Sequence, residues 1–270
     1  PFQFMYSLDP ELGSTSARAT NENLAAIVQK HPDRFVALAN VPLQAPDAAA
    51  AELEYCVKHL GFRGVEIGTN VAGQEISRGR DAFWAKVQEL DVMVFMHPNG
   101  FTGGERLADH YFINVIGNPL DSTVAVAYLV FDGVLERFPK LKIVVAHGGG
   151  YVSHYPARMD HVWAARADAR TVLKRKPRRS LATLYFDTIV FDLQDAGARF
   201  DHVVGFVERH PLHLRFGDFG PGIADRRTHR IRHRIGVQDG LAVDVPGRAA
   251  DRLDQRALGA QEALLVGVED

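Results

Sequence analysis

Two short apolar segments of this chain each end at a histidine that is followed by a turn sequence. Residues 92–96 run into His97 and a Pro-Asn-Gly turn, and residues 143–146 run into His147 and three glycines. A buried parallel strand that ends in a polar side chain is typical of α/β barrels, which carry their chemistry at the carboxyl ends of the strands. The pattern therefore predicts that His97 and His147 lie at the same mouth.

Segments with helical and strand periodicity alternate along most of the chain. Helical patterns cover 21–29, 48–60, 81–90 and 122–138, and strand patterns cover 34–41, 64–68, 92–97, 143–147, 184–188 and 212–218. Strands separated by helices indicate an α/β fold with a parallel sheet, either closed into a barrel or left as a doubly wound sheet. The 270 residues, of which 46% are hydrophobic, fit one (β/α)8 TIM barrel, which needs roughly 250 residues.

Charge, hydropathy and cysteine count indicate which classes of partner and which cellular compartment fit this chain. The formal net charge of −2 gives no reason to expect a polyanion or an anionic membrane surface as a partner. No apolar stretch approaches the roughly 20 residues of a membrane span. The single cysteine, Cys56, allows no disulfide within the chain. We therefore predict a cytoplasmic protein with neither nucleic acid nor membrane as a partner.

The last part of the chain differs in character from the rest. Beyond Asp218 the periodicity fades, and arginine occupies positions 226, 227, 230, 232 and 234. We predict a barrel over 1–225 and a divergent segment over 226–270 that is either a solvated, disordered tail or the product of a shifted reading frame. A nucleic-acid site in this segment is disfavoured, because it shows no recognition fold and few aromatic residues.

His97, His147 and Asp218 are the candidates for metal chemistry. A neutral imidazole at a strand end binds a divalent metal, although a single histidine is more often structural. Two histidines at one mouth favour a site over that alternative. Asp218 ends the strand pattern at 212–218, where a carboxylate would either bind the metal or belong to the turn before Gly220. The three glycines after His147 are not a phosphate loop, because no Lys-Ser/Thr pair follows them.

Several segments of the chain together carry a family resemblance. They lie at 21–24, 31–35, 43–46, 60–65, 97–98, 138–142 and 146–150. With their spacing they resemble the aminocarboxymuconate-semialdehyde decarboxylase family of the amidohydrolase superfamily, which includes aromatic-acid decarboxylases of the resorcylate type. The resemblance covers residues 20–192.

The resemblance implies a barrel that holds one catalytic divalent metal, usually zinc, with manganese as the alternative. It makes His97 a metal ligand and His147 the acid/base residue, and it gives Asp218 the place of the last ligand. Arg158 and Arg166 match arginines that hold the substrate carboxylate. In relatives such arginines reach into the neighbouring subunit, so a homodimer is expected. Without the resemblance, an ion pair with a nearby acid is the simpler role for Arg158.

Three departures from the family pattern limit this transfer. Nothing before residue 20 supplies the Asp/Glu-x-His-x-His or His-x-His metal pair with which relatives begin, so we expect a barrel that is incomplete at its N-terminus. Only residues 217–219 answer to the final Gly-Thr-Asp-Tyr-Pro strand end. Asn99 stands where picolinate-pathway decarboxylases carry a tryptophan, so we expect it to contact a different small carboxylic acid.

The resemblance implies metal-dependent nonoxidative decarboxylation of a small unsaturated or aromatic carboxylic acid. Two alternatives stay open. The same barrel and metal support hydrolysis of a lactone or related ester. A chain that lacks the complete metal site would instead be an inactive fragment, a pseudoenzyme or a partner-binding subunit.

Overall fold

A seven-stranded sheet is the central element of the computed structural model, which describes residues 4–101, 103–187 and 189 together with the strands at 202–205, 212–215 and 266–267. In chain order the strands are β1 (Phe35–Val36), β2 (Leu38–Ala39), β3 (Gly64–Ile67), β4 (Asn70–Val71), β5 (Gln74–Glu75), β6 (Met93–Met96), β7 (Lys142–Val145), β8 (Tyr185–Phe186), β9 (His202–Gly205), β10 (Leu212–Arg215) and β11 (Val266–Gly267). The large sheet has the order β10-β9-β8-β7-β6-β3-β2. Its neighbouring strands are parallel except for the antiparallel pair β9 and β10.

Helices connect most of the parallel strands and so complete the α/β pattern. They are α1 (Pro10–Lys30), α2 (Pro46–His59), α3 (Asp81–Leu90), α4 (Asn118–Phe131), α5 (Val134–Arg137), α6 (Pro156–Ala165) and α7 (Pro177–Leu181). Two small antiparallel pairs, β1 with β11 and β4 with β5, lie outside the large sheet. The predicted fold class, α/β with a parallel sheet, is confirmed.

Two helices differ from their sequence prediction for local reasons. Helix α1 begins at Pro10 rather than near residue 21, because the Asp9 carboxylate caps it by accepting the N–H groups of Glu11 and Leu12 at 3.1 and 3.0 Å. The helix predicted over 122–138 is split into α4 and α5. The break falls at Gly133, whose φ of +73° lies outside the helical range.

The strands pack through both faces of the sheet. One face, which includes Val65, Val94, Ile143 and Phe186, joins the helices in the large hydrophobic core. The opposite face carries a smaller cluster made only of strand-region residues: Leu38, Met93, Phe95, Val144, Ala146 and Tyr185. Side chains alternate along a strand, so this second face is the inner side of the sheet. The inner face leads directly to the strand ends where the predicted site lies.

The helical stretch 113–131 is long and apolar enough to cross a membrane by length and composition alone. In this fold its α4 part buries Ala125, Val126, Leu129 and Val130 in the core. Core helices of globular proteins meet the same criterion, so the stretch carries no argument for a membrane span.

The predicted segment 226–270 lies outside the described residues, apart from the backbone of β11. The division into a barrel over 1–225 and a divergent segment therefore stays a prediction.

Candidate metal and catalytic site

Three residues extend the parallel ladder one step beyond the carboxyl ends of the strands. The backbone N–H groups of His97, Ala146 and Asp187 each donate to a carbonyl of the neighbouring strand, at 2.9, 3.0 and 3.3 Å. Side-chain alternation with Phe95 and Tyr185 places His97 and Asp187 on the inner face. The strand ends therefore bring an imidazole and a carboxylate to one level of the mouth.

His97 and His147 are in ring contact at this edge. Their ring centroids are 4.8 Å apart and their planes are inclined at 69°. Within the described part of the chain, the Nδ1 atom of each ring is buried and has no hydrogen-bond partner. A buried polar atom without a partner is unfavourable unless a ligand satisfies it. The two imidazoles that the sequence placed at one mouth therefore meet, and both retain a nitrogen for a ligand.

The electrostatic environment keeps both rings neutral. Burial, and to a smaller extent the adjacent His147, lower the pKa of His97 to about 4. Burial also lowers the pKa of His147, and the Asp187 carboxylate acts in the opposite direction. At pH 7 both imidazoles are therefore neutral, which is the form that binds a metal ion.

The described residues fit part of a divalent metal site. His97 offers a neutral, half-buried imidazole with a buried Nδ1 atom, of the kind that zinc and manganese accept. Among these residues no group of three or more His, Cys, Asp or Glu side chains is arranged to hold a metal ion. The predicted ligand Asp218 lies outside the described residues. The described residues therefore offer two neighbouring neutral imidazoles to such a site, and the roles of His97 as ligand, His147 as acid/base residue and Asp218 as ligand stay predictions.

The segment after β7 turns through an uncommon backbone conformation. His147 has a φ of +57°, and Gly148, Gly149 and Gly150 follow at +61°, +75° and +64°. A left-handed backbone is unfavourable for a residue with a Cβ atom by roughly 1–2 kcal/mol, so the histidine needs support from its surroundings. Phe186 packs closely against this turn, because a Cβ atom at position 149 would lie 2.2 Å from its ring.

This contact predicts a large effect for Gly149→Ala. The substitution adds a clash with the Phe186 ring to the backbone strain, and we expect it to lower the free energy of unfolding by about 3 kcal/mol or more. Gly61→Ala is the matched control, since Gly61 has a similar φ of +73° but no atom within 4 Å of the added Cβ. Gly61→Ala should lower the free energy of unfolding only by the backbone strain, roughly 1–2 kcal/mol. If urea unfolding shows that both variants lose the same free energy of unfolding, the clash with Phe186 has no energetic effect.

The first turn of α4 ties the two histidine loops together. The Asn118 Oδ1 atom accepts the N–H of Gly100, in the loop after His97, at 3.0 Å. Thr123 Oγ1 accepts the N–H of Tyr151, in the loop after His147, at 2.8 Å. One helix end therefore holds both loops in a fixed relation.

Asp121, in the same turn, binds the loop after β3. It is only 6% exposed, and its carboxylate accepts hydrogen bonds from Thr69 Oγ1 and, at 3.0 Å, from Asn70 Nδ2. Burial is the main influence and raises the pKa of Asp121, although both hydrogen bonds oppose it. The folded protein therefore holds the carboxyl proton more tightly than the unfolded chain does.

A pH dependence of stability follows from this environment. Aspartate in an unfolded chain has a pKa of about 4, and the pKa of Asp121 in the folded protein is higher. As pH rises from the first value through the second, ionisation of Asp121 should lower the free energy of unfolding. Asp121→Asn should remove this part of the slope in urea unfolding curves recorded at several pH values. Asp81→Asn, which removes a carboxylate from an exposed ion pair with Arg137, is the control for loss of charge. An unchanged slope in the Asp121 variant would contradict the assignment.

The predicted substrate-binding residues are all exposed. Arg158 lies on α6, and Arg166 ends that helix and forms a two-point ion pair with Asp168, with N···O distances of 3.0 and 2.7 Å. Asn99 is exposed in the turn that follows β6. Their roles in substrate binding stay predictions.

Sequence analysis overlooked Asp187. It falls in the predicted strand over 184–188 and directly follows β8, so it occupies the same kind of position as His97. Selecting polar residues at every predicted strand end, rather than histidines alone, would have found it.

Comparison with known proteins identifies the family. The amidohydrolase family model matches residues 7–205. The chain belongs to the amidohydrolase family. This amidohydrolase is 30% identical over 194 residues to the 2-amino-3-carboxymuconate-6-semialdehyde decarboxylase of Dictyostelium discoideum, a match that covers 71% of the chain and 54% of the relative. It is 32% identical over 164 residues to the gamma-resorcylate decarboxylase of Rhizobium sp. (strain MTP-10005), covering 54% of the chain and 48% of the relative.

A solved structure extends the likeness to three dimensions. The dihydroxybenzoic acid decarboxylase of Polaromonas sp. JS666, solved with bound manganese and the inhibitor 2-nitroresorcinol, matches with a TM-score of 0.66 at 28% identity, covering 73% of this chain and 65% of that one. The resemblance drawn from the sequence motifs and the expected TIM-barrel class are confirmed. The amidohydrolase chain spans about half the length of the curated relatives it matches.

Proposed function

We propose that this amidohydrolase catalyses metal-dependent nonoxidative decarboxylation of a small aromatic or unsaturated carboxylic acid. The observation that carries the proposal is the contact between His97 and His147, 4.8 Å apart at the carboxyl edge of a parallel sheet. The named relatives support it, because they are decarboxylases that share this fold and family.

His97 is the proposed protein ligand to a divalent metal, and Asp218 is the second ligand in this proposal. When bound, such an ion supplies Lewis-acid polarisation of substrate oxygens. Zinc is the metal that the sequence resemblance favours, and manganese is supported by the ion bound to the Polaromonas relative. His97 suits this role because its ring is neutral and its backbone is fixed by the sheet.

His147 is the proposed proton carrier. Decarboxylation requires that a proton is added to the carbon that bears the carboxylate, after which the carbon–carboxylate bond breaks and its electron pair returns to the unsaturated system as CO2 leaves. His147 is neutral at pH 7, so it first takes up a proton from solvent. The imidazolium then gives this proton readily to the substrate carbon, because burial disfavours the charged form. The ring contact with His97 places this proton source beside the proposed metal ligand.

Arg158 and Arg166 are the proposed carboxylate-binding residues, with Asn99 as a further contact to the substrate. A planar guanidinium binds a carboxylate through two hydrogen bonds and would orient the bond that breaks. The exposed position of both arginines on or beside α6 supports the proposal that they serve the site of a partner subunit in a homodimer. The homodimer and a cytoplasmic location stay predictions.

A substrate panel tests the function. The full-length protein, loaded in turn with zinc and with manganese, is incubated with 2,6-dihydroxybenzoate, other hydroxybenzoates, unsaturated dicarboxylic acids and simple lactones. We expect CO2 release and the matching decarboxylated product from at least one acid. Ring opening of a lactone without CO2 release would favour a hydrolase, and a protein that binds no metal and releases no CO2 would overturn the proposal.

A further inference from the structure

Asp187 is a buried carboxylate that the proposed chemistry leaves without a role. It is 6% exposed and ends β8 on the inner face of the sheet. Its Oδ1 atom accepts two backbone hydrogen bonds, from the N–H of Gly148 at 2.8 Å and from that of Ile189 at 3.1 Å. A carboxylate is unfavourable in such a position unless donors satisfy it, and backbone N–H groups do so here.

The hydrogen bond to Gly148 acts on the peptide that follows His147. The direction of that N–H is set by the ψ angle of His147, so holding the N–H also holds the backbone from which the imidazole projects. His147 has a φ of +57°, which a histidine adopts only when its surroundings enforce it. Asp187 supplies a polar restraint on this turn, and the preceding Phe186 supplies a steric one against Gly149.

We propose that Asp187 is a positioning residue that holds the His147–Gly148 peptide and thereby aims the His147 imidazole at the substrate. This inference rests on the proposed function, in which His147 carries the proton. It adds a residue from a different strand, β8, to a site whose histidines follow β6 and β7.

Two further observations fit this role. The N–H of Asp187 itself donates to the carbonyl of Val145 on β7 at 3.3 Å, so the carboxylate is anchored to the strand that carries His147. The carboxylate is also close enough to His147 to raise its pKa against the effect of burial. Backbone anchoring and proximity together restrain the backbone from which the imidazole projects.

Three variants of the full-length protein test the proposal. Asp187→Ala removes the acceptor, and Asp187→Asn keeps an oxygen that accepts the same N–H groups. Asp160→Ala is the matched control, because Asp160 is also buried and accepts a backbone N–H, from Arg178 at 3.1 Å, but lies on α6. For each variant, kcat and KM are measured on the acid that the wild type decarboxylates, together with metal content, the urea midpoint and hydrogen exchange of the Gly148 amide.

We expect Asp187→Ala to lower kcat by about 10- to 100-fold, the scale of a small misplacement of a catalytic group, with KM and metal content nearly unchanged. Exchange of the Gly148 amide should accelerate, and Asp187→Asn should recover most of both properties. Asp160→Ala should lower the urea midpoint without changing kcat.

Several results would overturn the role of Asp187. These are wild-type kcat in Asp187→Ala, unchanged exchange at Gly148, or an equal loss of kcat in Asp160→Ala. A wild-type protein that releases no CO2 would overturn the proposed function and this role together. An active wild type with an equally active Asp187→Ala variant would overturn the role of Asp187 alone.

Discussion

Replacement of His147 by glutamine should lower kcat for decarboxylation by about 10²- to 10⁴-fold, the usual contribution of general acid–base catalysis. Glutamine is similar in size and remains polar, but it cannot take up and release a proton near neutral pH. His147 is in ring contact with His97, which the proposal already uses as a metal ligand, and sits in a turn held by a neighbouring strand. CO2 release measured under saturating substrate reports the loss directly.

Metal content and stability show whether the loss of kcat comes from the missing acid/base group or from lost metal or unfolding. His147→Gln should bind as much zinc or manganese as the wild type and should unfold at a similar urea concentration. His59→Gln is the matched control, because His59 is the exposed last residue of α2. A helix that connects two parallel strands returns to the amino edge of the sheet, so this residue lies away from the mouth. Turnover near the wild-type rate in His147→Gln would remove the acid/base assignment.

The strand ends were accessible to sequence analysis because the signal is local. The apolar runs before His97 and His147 contain only residues that suit a buried strand, and the turns that follow mark where each strand stops. Parallel strands aim their carboxyl ends at one edge, which is enough to predict that the two side chains meet. The distance of 4.8 Å and the relative tilt of the rings depend on packing, and no local pattern encodes them.

The support around the histidines was not accessible in the same way. Asp187 acts on Gly148 and Asp121 acts on Thr69 across 39 and 52 positions of the chain, respectively. Such contacts arise only after the strands and α4 have packed, so secondary-structure propensity and hydrophobic periodicity do not predict them. The first half of α1, before the predicted start near residue 21, was missed for a different reason, since the start of this helix depends on the single capping residue Asp9.

The turn that carries His147 illustrates how the scaffold sustains an unfavourable local conformation. The turn around the left-handed histidine is held by the hydrogen bond from the Gly148 N–H to Asp187, by the Phe186 ring against Gly149 and by the link between Tyr151 and α4. These restraints come from the end of β8 and from α4, so the conformation persists although the histidine alone would avoid it. We therefore expect substitutions in this turn to affect activity more than equally buried substitutions in the helices.

Replacement of His97 by alanine should separate the two histidines by function. We expect metal affinity to fall by more than the roughly 10- to 100-fold that loss of a partner behind a metal ligand causes, because a direct ligand is removed. Both rings are neutral with a buried Nδ1 atom that is unpartnered within the described part of the chain, and the assignment of His97 as the ligand follows the family resemblance. Metal content after gel filtration and competition with a chelator measure the change, and CO2 release should fall to background.

The comparison of His97→Ala with His147→Gln is the decisive form of this experiment. Loss of metal only in the position 97 variant, with loss of activity in both, would agree with one ligand and one proton carrier. Loss of metal in both variants would make His147 a ligand as well, and retention in both would place the ion elsewhere. The His59→Gln control should keep metal and activity, since a general effect of losing a histidine would appear there too. Because the two rings touch, only a difference between these neighbouring substitutions distinguishes coordination from proton transfer.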